Sequence, residues 1–182
     1  MRNAMIGVTA TVAFVALLAA SLPCRAYIYD GGQPQHLGVQ VKDNTNCVWA
    51  AEPFTLPYDA YATSIGAAAA RAVGPVAAGF SAWLYTVGNV SHVPEKPIAQ
   101  APLPIVPLDA QYVYYDVSLA SPIYLNAGAM YAVVLKPTDS TFTGSVSWGV
   151  VPGTYFGQGT ADYGKSWYRL SYPLAVRIDG HF

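Results

Sequence analysis

The sequence predicts an all-β protein, a single antiparallel β-sandwich of jelly-roll type with about eight to ten strands. Three observations carry this expectation. From Val39 onward, short apolar runs recur between clusters of Gly, Pro, Asn and Asp, the punctuation of a sandwich. Within the runs, apolar and polar residues alternate with the period of two that strands impose. Tyrosine, a residue at home in strands, occurs 14 times in 182 residues.

The first 26 residues stand apart from that pattern. Arg2 opens with a positive charge, Met5 to Leu22 is apolar and uncharged, and Cys24-Arg25-Ala26 offers a small-residue cleavage site. That order is a secretory signal peptide. Thr9, Thr11 and Ser21 interrupt the run, which falls short of the ~20 apolar residues of a spanning helix. Cleavage is therefore expected over an uncleaved anchor, and Leu22-Pro23 before Cys24 fits a lipidation box poorly. The expectation is a secreted, extracellular protein that no longer touches the membrane once residues 1–26 are removed.

Of the 182 residues, 156 remain after that cut, the size of one domain. Residues 27–46 read as an extended lead-in and first strand, and residues 47–182 as the sandwich. Losing Arg2 and Arg25 takes the formal charge from −1 to −3, and charged residues are only 10% of the chain, against about 25% in ordinary domains. No basic stripe exists, which argues against nucleic acid and anionic membranes as partners. Cys24 leaves with the signal, so Cys47 is alone, and its apolar surroundings in Asn46-Cys47-Val48-Trp49 suggest a buried, inert thiol.

The elements follow in order. Val39–Lys42 and Cys47–Leu56 flank the turn Asp43-Asn44-Thr45-Asn46, and Pro53 divides the second run or puts it at an edge. Tyr61–Val73 contains Ala67–Ala70, a helix-forming stretch, yet Gly66 and Gly74-Pro75 crowd it. The alternation Thr63, Ile65, Ala67, Ala69, Arg71, Val73 favours a strand. In Phe80–Val87, Phe80, Ala82 and Leu84 share one face, Trp83 and Tyr85 the other. Pro97, Pro102, Pro104 and Pro107 make Lys96–Asp109 an extended connector or edge. In Gln111–Leu119, Val113, Tyr115, Val117 and Leu119 oppose Tyr112, Tyr114 and Asp116. Strands are also expected at Pro122–Leu125, Met130–Leu135, Gly144–Val151 and Pro173–Ile178, with Tyr131, Val133, Leu135, Val146, Trp148 and Val150 inward.

Catalytic patterns are missing. Gly79-Phe80-Ser81-Ala82-Trp83 fails the nucleophile-elbow pattern at its last position, and His36, His92 and His181 lack metal-ligand spacing. Glycosidase chemistry needs two carboxylates about 5–10 Å apart, and the acids, Glu52, Glu95, Asp116, Asp139, Asp162 and Asp179 among them, are scattered. With the acids scattered this way, solvation and turn capping are the expected explanation. Asp43, Asn44 and Asn46 present oxygens for a structural calcium ion, or simply cap an Asx-rich turn. No other cofactor is expected.

The binding candidates are aromatic. Thr154–Tyr172 concentrates Tyr155, Phe156, Tyr163, Trp167, Tyr168 and Tyr172 among turn residues. Such rings stack on sugar faces, with Gln158, Asp162 and Lys165 bonding hydroxyls; alternatively they cover the open end of a core. A second candidate is the face bearing Trp83, Tyr85, Tyr112 and Tyr114, a platform if exposed and core if covered. Tyr155, Tyr163, Trp167, Tyr168 and Trp83 are the candidate ligand-binding residues.

Four stretches resemble the choice-of-anchor R domain, a family of exported bacterial β-sandwich proteins. Glu52-Pro53-Phe54-Thr55-Leu56 is similar to its opening strand, and Phe80-Ser81-Ala82-Trp83-Leu84-Tyr85 to a later one. Pro122 to Leu135, through Leu125-Asn126-Ala127-Gly128-Ala129-Met130-Tyr131, resembles its Leu-x-Ala-Gly-x-x-Tyr hairpin, and Leu174 to Gly180 its closing strand. The resemblance covers roughly residues 47–180 and implies a non-catalytic surface or matrix module, here without the sorting tail that names the family. The functional expectation is thus a secreted binding module for an extracellular glycan or surface protein. The alternative is a self-associating structural subunit, joined through an edge strand or Cys47; an exported hydrolase fits least well.

Overall fold

The computed structural model describes residues 27–35, 38–42, 48–73, 79–103, 111–138, 145–154 and 156–182. The signal segment, Cys24, His36, the Asp43/Asn44/Asn46 turn, Cys47, Asp139 and Tyr155 lie outside the described residues. Every described element is a strand: β1 (Tyr27–Asp30), β2 (Gly38–Lys42), β3 (Trp49–Thr55), β4 (Ala60–Val73), β5 (Phe80–Val87), β6 (Pro94–Pro102), β7 (Val113–Leu125), β8 (Met130–Pro137), β9 (Ser145–Gly149), β10 (Gln158–Thr160), β11 (Tyr168–Arg169) and β12 (Val176–His181). They form two antiparallel six-stranded sheets, so the protein is all-β and antiparallel. The strand number exceeds the expectation because β1, β10 and β11 are too short to show a period of two. Tyr27–Asp30, expected only as an extended lead-in, pairs with β12 and belongs to the first sheet.

The first sheet is built around β4. Ile65 pairs with Ile178 of β12 on one side and Val117 of β7 on the other, while Ala69 pairs with Trp148 of β9 and Val113 of β7. β12 and β9 therefore lie end to end along one edge of β4, each carrying a further strand, β1 and β2. The sheet curls into a half-barrel. The alanine run is a strand because neighbours bond both of its edges, which outweighs helix propensity.

Two details depart from the sequence pattern. A bulge between Ala62 and Ser64 shifts the phase of β4, so Ala60 and Ala62 face the core before it and Ile65, Ala67 and Ala69 after it. Thr63, grouped by alternation with Ile65, Ala67 and Ala69, is the residue the bulge displaces. Opposite it, β7 runs unbroken through Leu119–Pro122 without partners in β4, so the two separate strands expected there are one. Pro122 has no N–H to donate and sits where none is needed.

At Gly66 the chain exploits the absence of a side chain. Gly66 pairs with Asp116 on one side and Arg177 on the other. A Cβ at this position would collide with both side chains. Without it, Arg177 reaches across β4 and forms a two-pronged hydrogen-bonded ion pair with Asp116, its Nε 2.7 Å from Oδ1. Its guanidinium also lies 4.1 Å from the Tyr114 ring centre.

The second sheet runs β11-β10-β3-β8-β5-β6. β6 is its outer strand, and Pro94, Pro97 and Pro102 in it blunt the edge against further pairing. One core cluster draws on both sheets: Phe80, Ala82 and Leu84 of β5, and Tyr131, Val133 and Leu135 of β8, join Ile65, Val146, Trp148 and Ile178. These are the faces that alternation predicts. Trp83 and Tyr85 point the other way, into a smaller cluster on the outer side of the second sheet.

Candidate functional site

The loop from β10 to β11 is organised by Asp162. Its Oδ1 accepts the Thr160 hydroxyl at 2.7 Å and the Ser166 N–H at 2.8 Å, while Oδ2 accepts the Ser166 hydroxyl. The Ser166 hydroxyl, with those further bonds, holds the carboxyl well below its usual range, at about 2. Tyr163 and Gly164 both take positive φ, 63° and 79°, which costs nothing for glycine. Tyr163 is held there as its ring meets Trp49 edge-on, centroids 6.1 Å apart. This geometry lays Trp167 against the outer cluster of Ala51, Tyr85, Ala132 and Val134. Asp162→Ala is expected to speed amide exchange at Gly164 and Ser166 by at least tenfold, leaving the core strands protected. Unchanged exchange at both amides would show that packing alone holds the loop.

The structure separates the expected aromatic residues. Trp83 is not an open surface: the Lys136 ammonium sits 4.0 Å from its ring centre and 4.8 Å from that of Trp49, and donates to the Tyr85 hydroxyl at 2.7 Å. Burial lowers the Lys136 pKa. The Trp83–Tyr85–Tyr112–Tyr114 platform does not exist, because the pairs lie on different sheets. Tyr112 bonds Ser147 (2.7 Å) and Tyr114 donates to the Gly32 carbonyl, both packed beside Ala68, Val151 and Ala175. Tyr163 is 53% exposed but turns its edge to Trp49.

Trp167 and Tyr168 do come together, at a groove of about 930 Å³. The groove exists because β10 pairs with β3 only over Trp49–Ala51, leaving the β3 edge open from Glu52 to Thr55. Pro53 lies in that open stretch, in line with its expected edge position. Tyr168, 49% exposed, and Arg169 both line it, from opposite faces of β11, and the Arg169 guanidinium carbon is 3.4 Å from the Phe156 ring centre. Gln158 donates to the His92 carbonyl and joins the turn after β5 to the same rim.

Glu52 lines this groove although it is only 3% exposed. One oxygen accepts the Leu174 N–H at 2.7 Å, and burial pushes its pKa up to about 8. That shift favours its protonated form at neutral pH. Its side chain shares the inner face of β3 with Ala50 and Phe54, so solvation and turn capping do not describe it. Asp116 stands across the first sheet in its pair with Arg177. Among the described residues no three His, Cys, Asp or Glu side chains gather at metal-binding distance.

No protein-family model and no curated protein matches this chain.

Sequence reasoning missed Arg169, Glu52 and His92 as groove residues. Arg169 follows Tyr168 directly and carries the only positive charge beside that aromatic run apart from Lys165, a clue within reach. It also missed a row of rings on the outer face of the first sheet. His181, Tyr61 and Tyr124 stand on adjacent strands, centroids 5.3 and 5.2 Å apart. The His181 and Tyr61 rings stack on each other, so each covers one face of the other.

Proposed function

We propose that this chain is an exported, non-catalytic binding module of β-sandwich, jelly-roll type, akin to the choice-of-anchor R domains, that holds an extracellular glycan. The observation that carries the reading is the groove along the open β3 edge, lined by the half-exposed ring of Tyr168, by Trp167 and by the Arg169 guanidinium. A sugar has both chemistries at once: apolar C–H faces that lie on rings, and hydroxyls that bond amides and cations. The antiparallel sheets and their shared core support the sandwich, and the apolar run Met5–Leu22 supports export. Within the groove, Glu52 is a single carboxyl, with no second carboxylate among the described lining residues, and this favours binding over glycoside hydrolysis.

Tyr168→Ala tests the reading. The ring is half exposed, so the fold is expected to survive, with a melting temperature within a few degrees of wild type. Retention on a glycan array that the wild-type chain binds is expected to fall about tenfold, the weight of one stacked ring. A wild-type chain that binds no glycan, or a variant retained as well as wild type, overturns it.

A further inference from the structure

The ionisable side chains lining the groove, tyrosines aside, are Glu52, His92 and Arg169. Arg169 is exposed and has no carboxylate partner among the described residues, although the chain as a whole carries a formal charge of −1. Its guanidinium is nonetheless stacked over a ring, its carbon 3.4 Å from the Phe156 ring centre. A guanidinium offers a rigid fork of donors that matches a carboxylate in two parallel hydrogen bonds. Stacking on one face leaves those in-plane donors unused.

We infer that the groove takes an acidic saccharide, the carboxylate of a uronic acid gripped by Arg169. This rests on the glycan reading above and names the ligand class for the same site. Glu52 suits such a ligand: buried and held by Leu174, it adds no negative charge at neutral pH that would repel the uronate. A neutral glycan would leave the charge of Arg169 uncompensated, and a cationic one would face it directly. Charge complementarity therefore selects the acid.

The experiment compares binding of the full chain to polygalacturonate, alginate and hyaluronate with binding to their methyl-esterified forms, which keep the sugars and remove the charge. At least one acidic polymer is expected to bind, at least tenfold more tightly than its ester, and less tightly as salt rises. Arg169→Met keeps an apolar stem on Phe156 and removes the charge; it is expected to abolish the preference for acid over ester while the melting temperature stays near wild type. Equal binding of acid and ester, or an unchanged preference in Arg169→Met, overturns this inference and leaves the glycan reading standing. Binding of no polymer in either form, together with a glycan array bare of binding, overturns both.

Discussion

Glu52→Gln is expected to stabilise the protein at pH 8 to 9 by a few kcal/mol and to leave it nearly unchanged at pH 4. The carboxyl has an ordinary value of 4.5 and stands at about 8 in the fold, chiefly because burial disfavours its charged form. Below pH 4.5 both folded and unfolded chains carry the proton, and the group adds no pH dependence. Between 4.5 and 8 the folded chain keeps the proton that the unfolded chain releases, so stability falls as pH rises, by about 1.4 kcal/mol per unit at most. Above 8 the loss is complete. Glutamine keeps an oxygen for the Leu174 N–H and removes the titration. Tyr29, on the neighbouring β1, has its pKa raised to about 12 by burial and by Glu52 and Asp30, above this window. Urea unfolding at pH 4, 6, 8 and 9 checks it. A wild-type-to-variant difference that is constant across these values would mean that Glu52 does not carry the pH dependence.

Trp148→Ala is expected to cost about 4 kcal/mol, a large share of the 5–15 kcal/mol that holds an ordinary domain. Trp148 is the largest side chain in the core and is 0% exposed. Its Nε1 donates to the Ala175 carbonyl at 2.9 Å, which ties β9 to the segment leading into β12 where the two strands meet along β4. That carbonyl also accepts the Ala68 N–H at 3.1 Å, so it keeps a partner when the indole goes. Most of the cost is then the cavity rather than an orphaned acceptor. Trp148→Phe, which fills much of the space, is expected to cost less than half as much. The midpoint of urea unfolding followed by circular dichroism reads both variants. A loss under about 1 kcal/mol in Trp148→Ala would mean that the surroundings collapse into the space.

How far each feature was legible depends on how local its cause is. The inward faces of β5, β8 and β9 could be read directly, because alternation along a single strand reports which side is buried. β4 was legible as a strand but not in phase throughout, because the bulge after Ala62 depends on the partner β7 rather than on β4 alone. The aromatic run 154–172 marked the right neighbourhood, and Trp167 and Tyr168 reached the groove. Trp83 did not, because Lys136 arrives from the adjacent β8 and covers its ring. No local pattern announces such a cross-strand visitor.

The sequence alone determined the class: antiparallel strands, their inner faces, and tyrosines and prolines at positions strands tolerate. These follow from rules that act over two to eight neighbouring residues. Only the tertiary structure decided the candidate site. Glu52, His92, Phe156, Gln158, Trp167, Tyr168 and Arg169 meet because β10 leaves β3 after three pairs. That early ending is a property of how distant strands dock, and so is the burial that keeps Glu52 protonated. A groove made from β3, the turn after β5, and β10 to β11 has no signature in any one of them.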